Sequence, residues 1–470
     1  MLMPAPRIVI ALSDDVAREL AGDESYNEKT LKQIAESFSR RRAPRLRRLS
    51  MLLNDNEYAR LHAGRVVEYP PAAVQSLVGL FVLRDDTLDA RGTKRLLRRL
   101  RELRQPDVNG LKDLETAYFH RDARPPAGTR APAPNGWTAV PMDDFTRFGR
   151  QVYLGPAGVG LPDSSVDASC DGAGVQFIDV EGGWNVDHEA FDQAVRDKKP
   201  RVFDEGEFAM AHGAAVLGIV LARGRDSKIR GIAPRCTLKG LYALAEERDG
   251  DKPPTAMAIC RAVRELGPGD VLLLEVAVDG SALPIEVQDA EFRAIQLAVS
   301  NGIIVIEPAA NFYGQLESYV RDEQLAPAWA DRHRESDGDV IPDSGAVIVS
   351  GCVVLAQQGR YDEPYASPRA RSGSRVDCYG WGANVWTSFG SGPTDYDYFT
   401  GTSAAAAVIA GIAILVQQRA KARLGRPLTP AEFRDFVRNP SNGTPVTARG
   451  KTVGTMPDVR KLFARIDSIT

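Results

Sequence analysis

The chain has 470 residues, 43% hydrophobic and 26% charged, too apolar for a disordered chain and ordinary for a globular one. Lys and Arg number 59 against 62 Asp and Glu, a formal net charge of −3, which excludes a globally basic nucleic-acid binder. At roughly 150 residues per domain, the length predicts two or three domains, or one large α/β domain with an attachment.

No segment reaches the roughly 18 uninterrupted apolar residues of a membrane span. The first twelve residues lack a long apolar core and meet Asp14 and Asp15 at once, so they read as a strand over 7–12 rather than a signal peptide. Residues 28–38 carry Leu31, Ile34, Ala35 and Phe38 at helical spacing. The run 40–48 holds six arginines; a solvated or subunit-facing stretch is preferred over contact with nucleic acid or anionic lipid. Residues 77–83 (LVGLFVL) read as a strand. Residues 93–103 read as a helix with Leu96, Leu97, Leu100 and Leu103 inward, and 114–119 as a short strand. Residues 121–137 (RDARPPAGTRAPAPNGW) have no apolar period, and proline fixes φ and removes donors there, so a semi-extended linker is expected. The division is therefore a small α+β domain over 1–120, a Pro-rich linker over 121–138, and a second domain over 139–470. The first 120 residues carry 21 Lys and Arg against 17 Asp and Glu, leaving the remainder acidic.

Beyond the linker, strands are expected at 175–180, 271–278, 303–306 and 346–355. Helices are expected at 211–222, 290–299, 404–419 and 430–437. Strands alternating with helices imply an α/β fold, a mostly parallel sheet with helices on both faces. Ligands then bind at the carboxyl ends of the strands. The five cysteines (Cys170, Cys236, Cys260, Cys352, Cys378) show no C-x-x-C spacing, so neither a disulfide framework nor a zinc site is indicated. The first expectation is a cytoplasmic, reduced protein, with release by a leaderless route kept open.

Four residues stand where such a fold exposes side chains. Asp179 lies near the carboxyl end of the first strand of the second domain (VQFIDV), where a buried carboxylate is costly unless something polar uses it; the plain alternative is a turn residue. His212 opens an apolar helix, followed by Gly213; it is either a base or a structural histidine. Ser403, in GTSAAAA, heads a helix so apolar that it must be buried. The helix dipole favours developing negative charge there, although a serine also serves as an N-cap. Asn311 follows the strand at 303–306 and is either an oxyanion donor or a turn asparagine. Asp, His and Ser in that order, each at a strand end or helix start, match a nucleophilic Ser-His-Asp system.

The second domain resembles a subtilisin-like serine peptidase, in which the order is also Asp, His, Ser. The histidine motif His-Gly-Thr-His-Val-x-Gly appears as His212-Gly213-Ala214-Ala215-Val216-Leu217-Gly218. The serine motif appears from Gly401 to Gly411, with Ala407 in place of proline and Ile409 in place of valine. The asparagine motif appears as Ala309-Ala310-Asn311, with Ala310 in place of glycine. The aspartate motif is Asp179-Val180-Glu181-Gly182-Gly183, resembling an atypical branch with Asp-Val-Glu and a nearby Gly-Trp (Gly183-Trp184). The resemblance implies an endopeptidase working through an acyl-enzyme, with Asp179, His212, Ser403 and the oxyanion donor Asn311. It implies that Leu274, Glu275, Val276 and Ala277 pair with an extended protein or peptide substrate. Ala309 and Ala310 would form the opposite wall of the first specificity pocket. Glu275 either faces that pocket, favouring a basic side chain, or is a buried structural carboxylate, the reading preferred. The N-terminal domain resembles, in pattern alone, the family's propeptide. It implies a latent enzyme held by an inhibitory N-terminal domain or a separate inhibitor.

No cofactor is required by this chemistry, and no metal site is read. Structural calcium is common in such enzymes; the loop 317–343 is acidic enough to bind it but has no fixed ligand spacing. The sequon Asn442-Gly443-Thr444 matters only in a secreted eukaryotic setting. Two other functions compete: a catalytically silent scaffold or binding protein on the same fold, motivated by the altered motifs, and a carboxyl peptidase, which would place an acid where His212 stands.

Overall fold

The computed structural model describes most of residues 150–469 and, before them, 7–12, 45–47, 80–84, parts of 95–100, 114–120 and 123–124. Within 150–469 the described residues exclude 162–170, 199–206, 244–253, 279–282, 336–340 and a few gaps of one or two residues. The helix expected at 28–38, most of the arginine run and Cys170 lie outside the described residues.

In the N-terminal region, β1 (Arg7–Leu12), β2 (Arg45–Arg47), β3 (Leu80–Arg84) and β4 (Leu114–His120) form an antiparallel sheet in the order β2-β3-β1-β4. Leu97 and Leu100, from the expected helix, are buried. The stretch expected as linker contributes a short strand, β5 (Ala123–Arg124).

The main sheet has nine strands among the described residues. The principal elements of this region in chain order are β6 (Gln176–Glu181), α1 (Glu207–Leu221), β7 (Thr237–Ala243), α2 (Pro254–Glu265), β8 (Val271–Leu274), β9 (Ala277–Val278), β10 (Leu283–Pro284), α3 (Asp289–Ser300), β11 (Ile304–Pro308), β12 (Val347–Val353), β13 (Tyr365–Ala366), β14 (Cys378–Trp381), β15 (Val385–Thr387), β16 (Asp397–Phe399), α4 (Thr402–Leu424), α5 (Pro430–Arg438), β17 (Gly443–Ala448), β18 (Lys451–Pro457) and α6 (Val459–Asp467), of which β9, β10, β15 and β16 lie outside the main sheet. The central run β12-β11-β8-β6-β7 is parallel, as is β12 with β14. Only the far edge, through β13, β17 and β18, introduces antiparallel pairs. β9, β10 and β5 form a separate small sheet. The strand expected over 271–278 is thus broken at Glu275 and Val276 into β8 and β9.

Alternation along the strands divides the core in two. Phe177, Val271, Leu273, Ile304 and Ile306 join one apolar cluster with α1, α4, α5 and α6. Ile178, Val180, Leu272, Leu274 and Val305 join the other with α2 and α3. β8 (VLLL) is buried throughout because both of its faces are covered. α1 and most of α4 are buried nearly all round. α4 has the length and apolar composition of a membrane span, but 89% of that stretch is buried inside the protein, against β8, β11, β12, β14 and α1. It ends at Gly425, which takes the left-handed conformation at φ 70°.

Candidate active site

The strand period of two decides which acids meet. Asp179 and Glu181 share the face of Phe177, and Glu275, following Leu274, falls on that face too. All three therefore point toward α1 and α4, and all three are fully buried. No Lys or Arg is among the groups that shift their titration.

His212 sits in the first half of α1 and is also fully buried. Gly213 lets the preceding loop press on the helix: a Cβ there would lie 2.1 Å from the Gly183 carbonyl oxygen and 2.5 Å from Trp184 Cδ1. Gly218 does the same for Thr387 and Ser388, whose hydroxyls donate to the Ala215 and Ala214 carbonyls at 2.9 and 2.8 Å. The imidazole packs edge-on against Phe399, with centroids 5.0 Å apart, and against Phe208 at 5.9 Å.

The hydrogen bonds assign the acids to different partners than the sequence motif implied. His212 Nδ1 pairs with Glu181 Oε1. Asp179, expected to orient the imidazole, accepts instead from Trp184 Nε1 at 2.8 Å, and its Oδ1 has no partner. Glu181 lies two residues further along the same face and carries one more methylene, which brings it to the histidine. The motif itself held the signal: Asp-Val-Glu supplies two acids on one face, and Gly183-Trp184 supplies a donor for the first.

Ser403 is the second residue of α4, 1% exposed, with no hydrogen-bond partner on Oγ. His212 Nε2 is likewise unpaired. Ser403 lies close enough to Glu275 to oppose in small part the rise that burial and Asp179 impose on that carboxyl, although no hydrogen bond of ordinary geometry joins them. The groups thus form one chain of neighbours. Ser403 adjoins Glu275, Glu275 and Glu181 both feel Asp179, and Glu181 holds His212. Phe399, against His212, lies four residues before Ser403 in the chain.

Asn311 is half-buried beyond β11. The Thr402 backbone N–H and hydroxyl both donate to its Oδ1, at 2.7 and 3.0 Å. A backbone N–H can only donate, so the amide orientation is fixed, and Nδ2 is left on the side away from Thr402. Gly401 makes room: at φ 140°, a Cβ there would stand 3.1 Å from Asn311 Nδ2. Ala310, where the family has glycine, takes the left-handed φ of 81°. Thr402 was not singled out from sequence; its place between Gly401 and Ser403 was the available signal.

The expected substrate residues are placed as follows. Leu274, Glu275, Val276 and Ala277 are all fully buried. The Glu275 amide already donates to the Val180 carbonyl at 3.0 Å. Leu274 lies in β8, between β6 and β11, and Ala277 in β9, between β10 and β5. Ala309 and Ala310 are buried; Ala309 N–H donates to Val349, and the Ala310 carbonyl accepts from Arg371 N–H at 3.1 Å. No cluster of metal-ligating side chains occurs among the described residues.

Burial sets the electrostatics. It pushes Asp179 up to about 7, against Trp184 donation. It raises Glu181 and Glu275 well above the ordinary range, with the charge of Asp179 adding to both. It lowers His212 to about 3. A neutral imidazole with Nδ1 engaged and the Nε2 lone pair unpaired is the form able to take a proton.

Comparison with known proteins gives a consistent picture. A family model described as the subtilase family matches residues 159–455. The intracellular serine protease of Paenibacillus polymyxa is 25% identical over 278 residues, covering 56% of this chain and 72% of that protein. Fervidolysin from Fervidobacterium pennivorans, a keratinolytic enzyme related to subtilisin, has a TM-score of 0.56 at 12% identity over 99% of this chain. The chain spans 62% of that structure's length, and the likeness is one of fold.

Proposed function

Because the chain belongs to the subtilase family, we propose that it is a serine endopeptidase in which Ser403 is the nucleophile, His212 the base and Glu181 the carboxylate that orients His212. Ser403 Oγ bonds to the peptide carbonyl carbon while His212 Nε2 takes the hydroxyl proton. The carbon–nitrogen bond then breaks as the imidazolium returns that proton to the leaving amine. Water repeats the sequence on the acyl-enzyme and frees Ser403. Asn311 Nδ2 and the Ser403 N–H hold the oxyanion, assisted by the positive end of α4. Loss of one such donor costs on the order of 100-fold or more in turnover. Glu181 stabilises the transient imidazolium, and Asp179, held by Trp184, keeps the adjoining strand end in place. The cleft between 274–277 and 309–310 receives the peptide.

The observation that carries this reading is the buried His212 with Nδ1 on Glu181 and Nε2 unpaired, on α1, which packs against α4 and its unpaired Ser403 Oγ. The protein acts in the cytoplasm, as the name of its Paenibacillus relative suggests, and is latent until its N-terminal region or a partner is displaced. Ser403→Ala should abolish hydrolysis of casein and labelling by a fluorophosphonate probe. The comparison should be run on the full chain and on a chain starting at Asn135. Equal labelling of wild type and variant would eliminate the assignment.

A further inference from the structure

Glu275 is a buried acid that the reaction above does not use. It follows the end of β8, where Glu275 and Val276 interrupt the path into β9. Its side chain is 0% exposed, and among the described residues neither carboxyl oxygen has a hydrogen-bond partner. Ser403 Oγ, equally buried, is also without one, and its hydroxyl is the hydrogen-bonding side chain that bears on the Glu275 carboxyl. The surrounding groups decide the charge of that carboxyl. From β6 it faces Asp179 and, beyond it, Glu181 with His212 from α1. From β11 this face presents Ile304 and Ile306, while Glu307 alternates to the opposite face with Val305. α4 carries no charged residue from Thr402 to Val416. An ionised Glu275 would be an uncompensated charge out of water beside two other acids, so it keeps its proton. A carboxyl that keeps its proton has an O–H to donate, and a buried donor needs an acceptor. The Ser403 hydroxyl can accept there while giving its own hydrogen to His212 Nε2.

We infer that Glu275 is a hydrogen-bond donor to the nucleophile: its O–H is given to Ser403 Oγ, orients that hydroxyl and steadies the charge that gathers on it. The inference rests on the peptidase reading and adds a residue to it. As the bond from Oγ to the peptide carbon forms, the Ser403 proton passes to His212 Nε2 and Glu275 keeps its own. When water frees Ser403, that bond breaks and Oγ takes a proton back from His212. Glu275 again keeps its proton and holds the partial charge in between. Oγ carries more negative charge in these transition states than in the resting hydroxyl, so the hydrogen bond strengthens where it accelerates the reaction. Ionisation of Glu275 would remove the donor and set a negative charge beside the oxyanion. Activity should therefore fall on the alkaline side as this one group loses its proton.

Two measurements on the full chain test this. The first needs no turnover. At pH 7 the infrared difference between wild type and Glu275→Gln should contain the carbonyl band of a neutral carboxylic acid, and Ser403→Ala should shift that band. Absence of the band, or a band indifferent to Ser403→Ala, overturns the inference. The second follows the rate of fluorophosphonate labelling and the kcat/KM for a fluorogenic peptide across the neutral and alkaline range. Glu275→Leu should lower both on the order of 10- to 100-fold, the worth of a hydrogen bond to a developing charge. Glu275→Gln, whose amide donates at every pH, should recover most of that loss and lack the alkaline fall of the wild type. A merely structural carboxyl would leave the shape of the pH profile independent of this side chain. A Gln variant no better than the Leu variant, or one that keeps the wild-type alkaline fall, overturns the inference and leaves the peptidase reading intact. A wild type that neither labels nor cuts in any form, while its Glu275 band responds to Ser403→Ala, sinks the peptidase reading. The catalytic role of Glu275 then falls with it, and the hydrogen bond stands.

Discussion

Two groups of buried acids in this fold are handled in opposite ways. Buried Glu286 and Asp377, with the more exposed Asp343 at their edge, face three guanidinium groups, those of Arg375, Arg434 and Arg438. Arg375 grips Glu286 with Nε and an Nη at 2.8 and 2.7 Å and reaches Asp377 at 3.0 Å. Arg434 holds Asp377 and Asp343, and Arg438 reaches Asp377 at 2.6 Å. Burial would raise Asp343, but Arg375 and Arg434 hold its carboxyl below the ordinary range. Asp179, Glu181 and Glu275 have Trp184, His212 and Ser403 as neighbours instead, and all three are raised. The first group is a compensated ionic network. The second leaves protons available and their positions unsettled, which is useful only where chemistry moves protons.

The sharpest way to break this contrast is to separate the two acids on β6. Glu181→Gln keeps the shape of the side chain but can present its amide nitrogen to His212 Nδ1, favouring the wrong tautomer. Peptide hydrolysis should fall on the order of 10³- to 10⁴-fold. Asp179→Asn retains an acceptor for Trp184 Nε1 and should cost less than about tenfold, since a hydrogen bond of this kind contributes only about 1 kcal/mol. Measured kcat/KM for the two variants decides the matter. If Asp179→Asn is the crippled enzyme and Glu181→Gln the active one, the pairing in the structure is not the catalytic one.

The compensated group should respond in stability rather than activity. Arg375→Met strands Glu286 and part of Asp377 without their cation and should destabilise the fold by about 3–5 kcal/mol, read from urea unfolding at pH 7. The uncompensated group should respond to pH. Asp179 keeps its proton in the folded chain up to about pH 7, whereas its ordinary value is 3.8. Between those values the unfolded state binds fewer protons, so stability falls as pH rises. His212 works the other way. Its folded pKa is about 3 against 6.5, so the unfolded state binds more protons in between, and stability rises with pH. In the wild type the two slopes oppose each other from about pH 4 to 6.5. Asp179→Asn removes the falling one. Its urea midpoint should climb more steeply over that range than the wild type's, and an unchanged profile would mean that Asp179 is ionised in the fold.

Much of this arrangement was legible in the chain. The alternation of apolar runs and helical segments gave the parallel sheet, because strands buried on both faces must be apolar throughout. β6, α1, α3, β11, β12, α4 and α5 fall where the periodicities placed them. β7 and α2 were not anticipated: TLKGLYA alternates weakly, and α2, although Ala256, Ile259, Ala262 and Val263 give it an apolar face, is short and preceded by the charged, Gly- and Pro-containing stretch EERDGDKP. The C-terminal hairpin of β17 and β18 is polar and half-exposed, so it leaves no apolar signature. The break of 271–278 at Glu275 and Val276 leaves no local signal, because VLLLEVAV reads as one apolar run. At the site, Ser403 at a helix start and Asn311 beyond a strand end stand where the residue pattern placed them, whereas His212 is the sixth residue of α1 rather than its opening residue. The division of labour between Asp179 and Glu181 was not, because two acids on one face differ only in reach. β5 was hidden inside a proline-rich stretch whose composition says linker.

The smallest expected effect asks whether this tolerance of unfavourable states extends to the backbone. Ala310 sits at φ 81° beside Asn311, where a Cβ is crowded and an L-residue pays about 1–2 kcal/mol. Its carbonyl is held by the Arg371 N–H, and the next residue is fixed through Asn311 Oδ1 to Thr402, so the conformation is over-determined by its neighbours. Ala310→Gly relieves the crowding but gives the unfolded chain more freedom, worth roughly 0.5–1 kcal/mol in the opposite sense. The net should be between neutral and about 1 kcal/mol of stabilisation, with kcat unchanged because the Asn311 clamp is untouched. A loss of stability greater than about 1 kcal/mol would mean that the methyl group contributes packing that outweighs its strain. A fall in kcat at unchanged stability would mean that the strained alanine itself holds Asn311 in register.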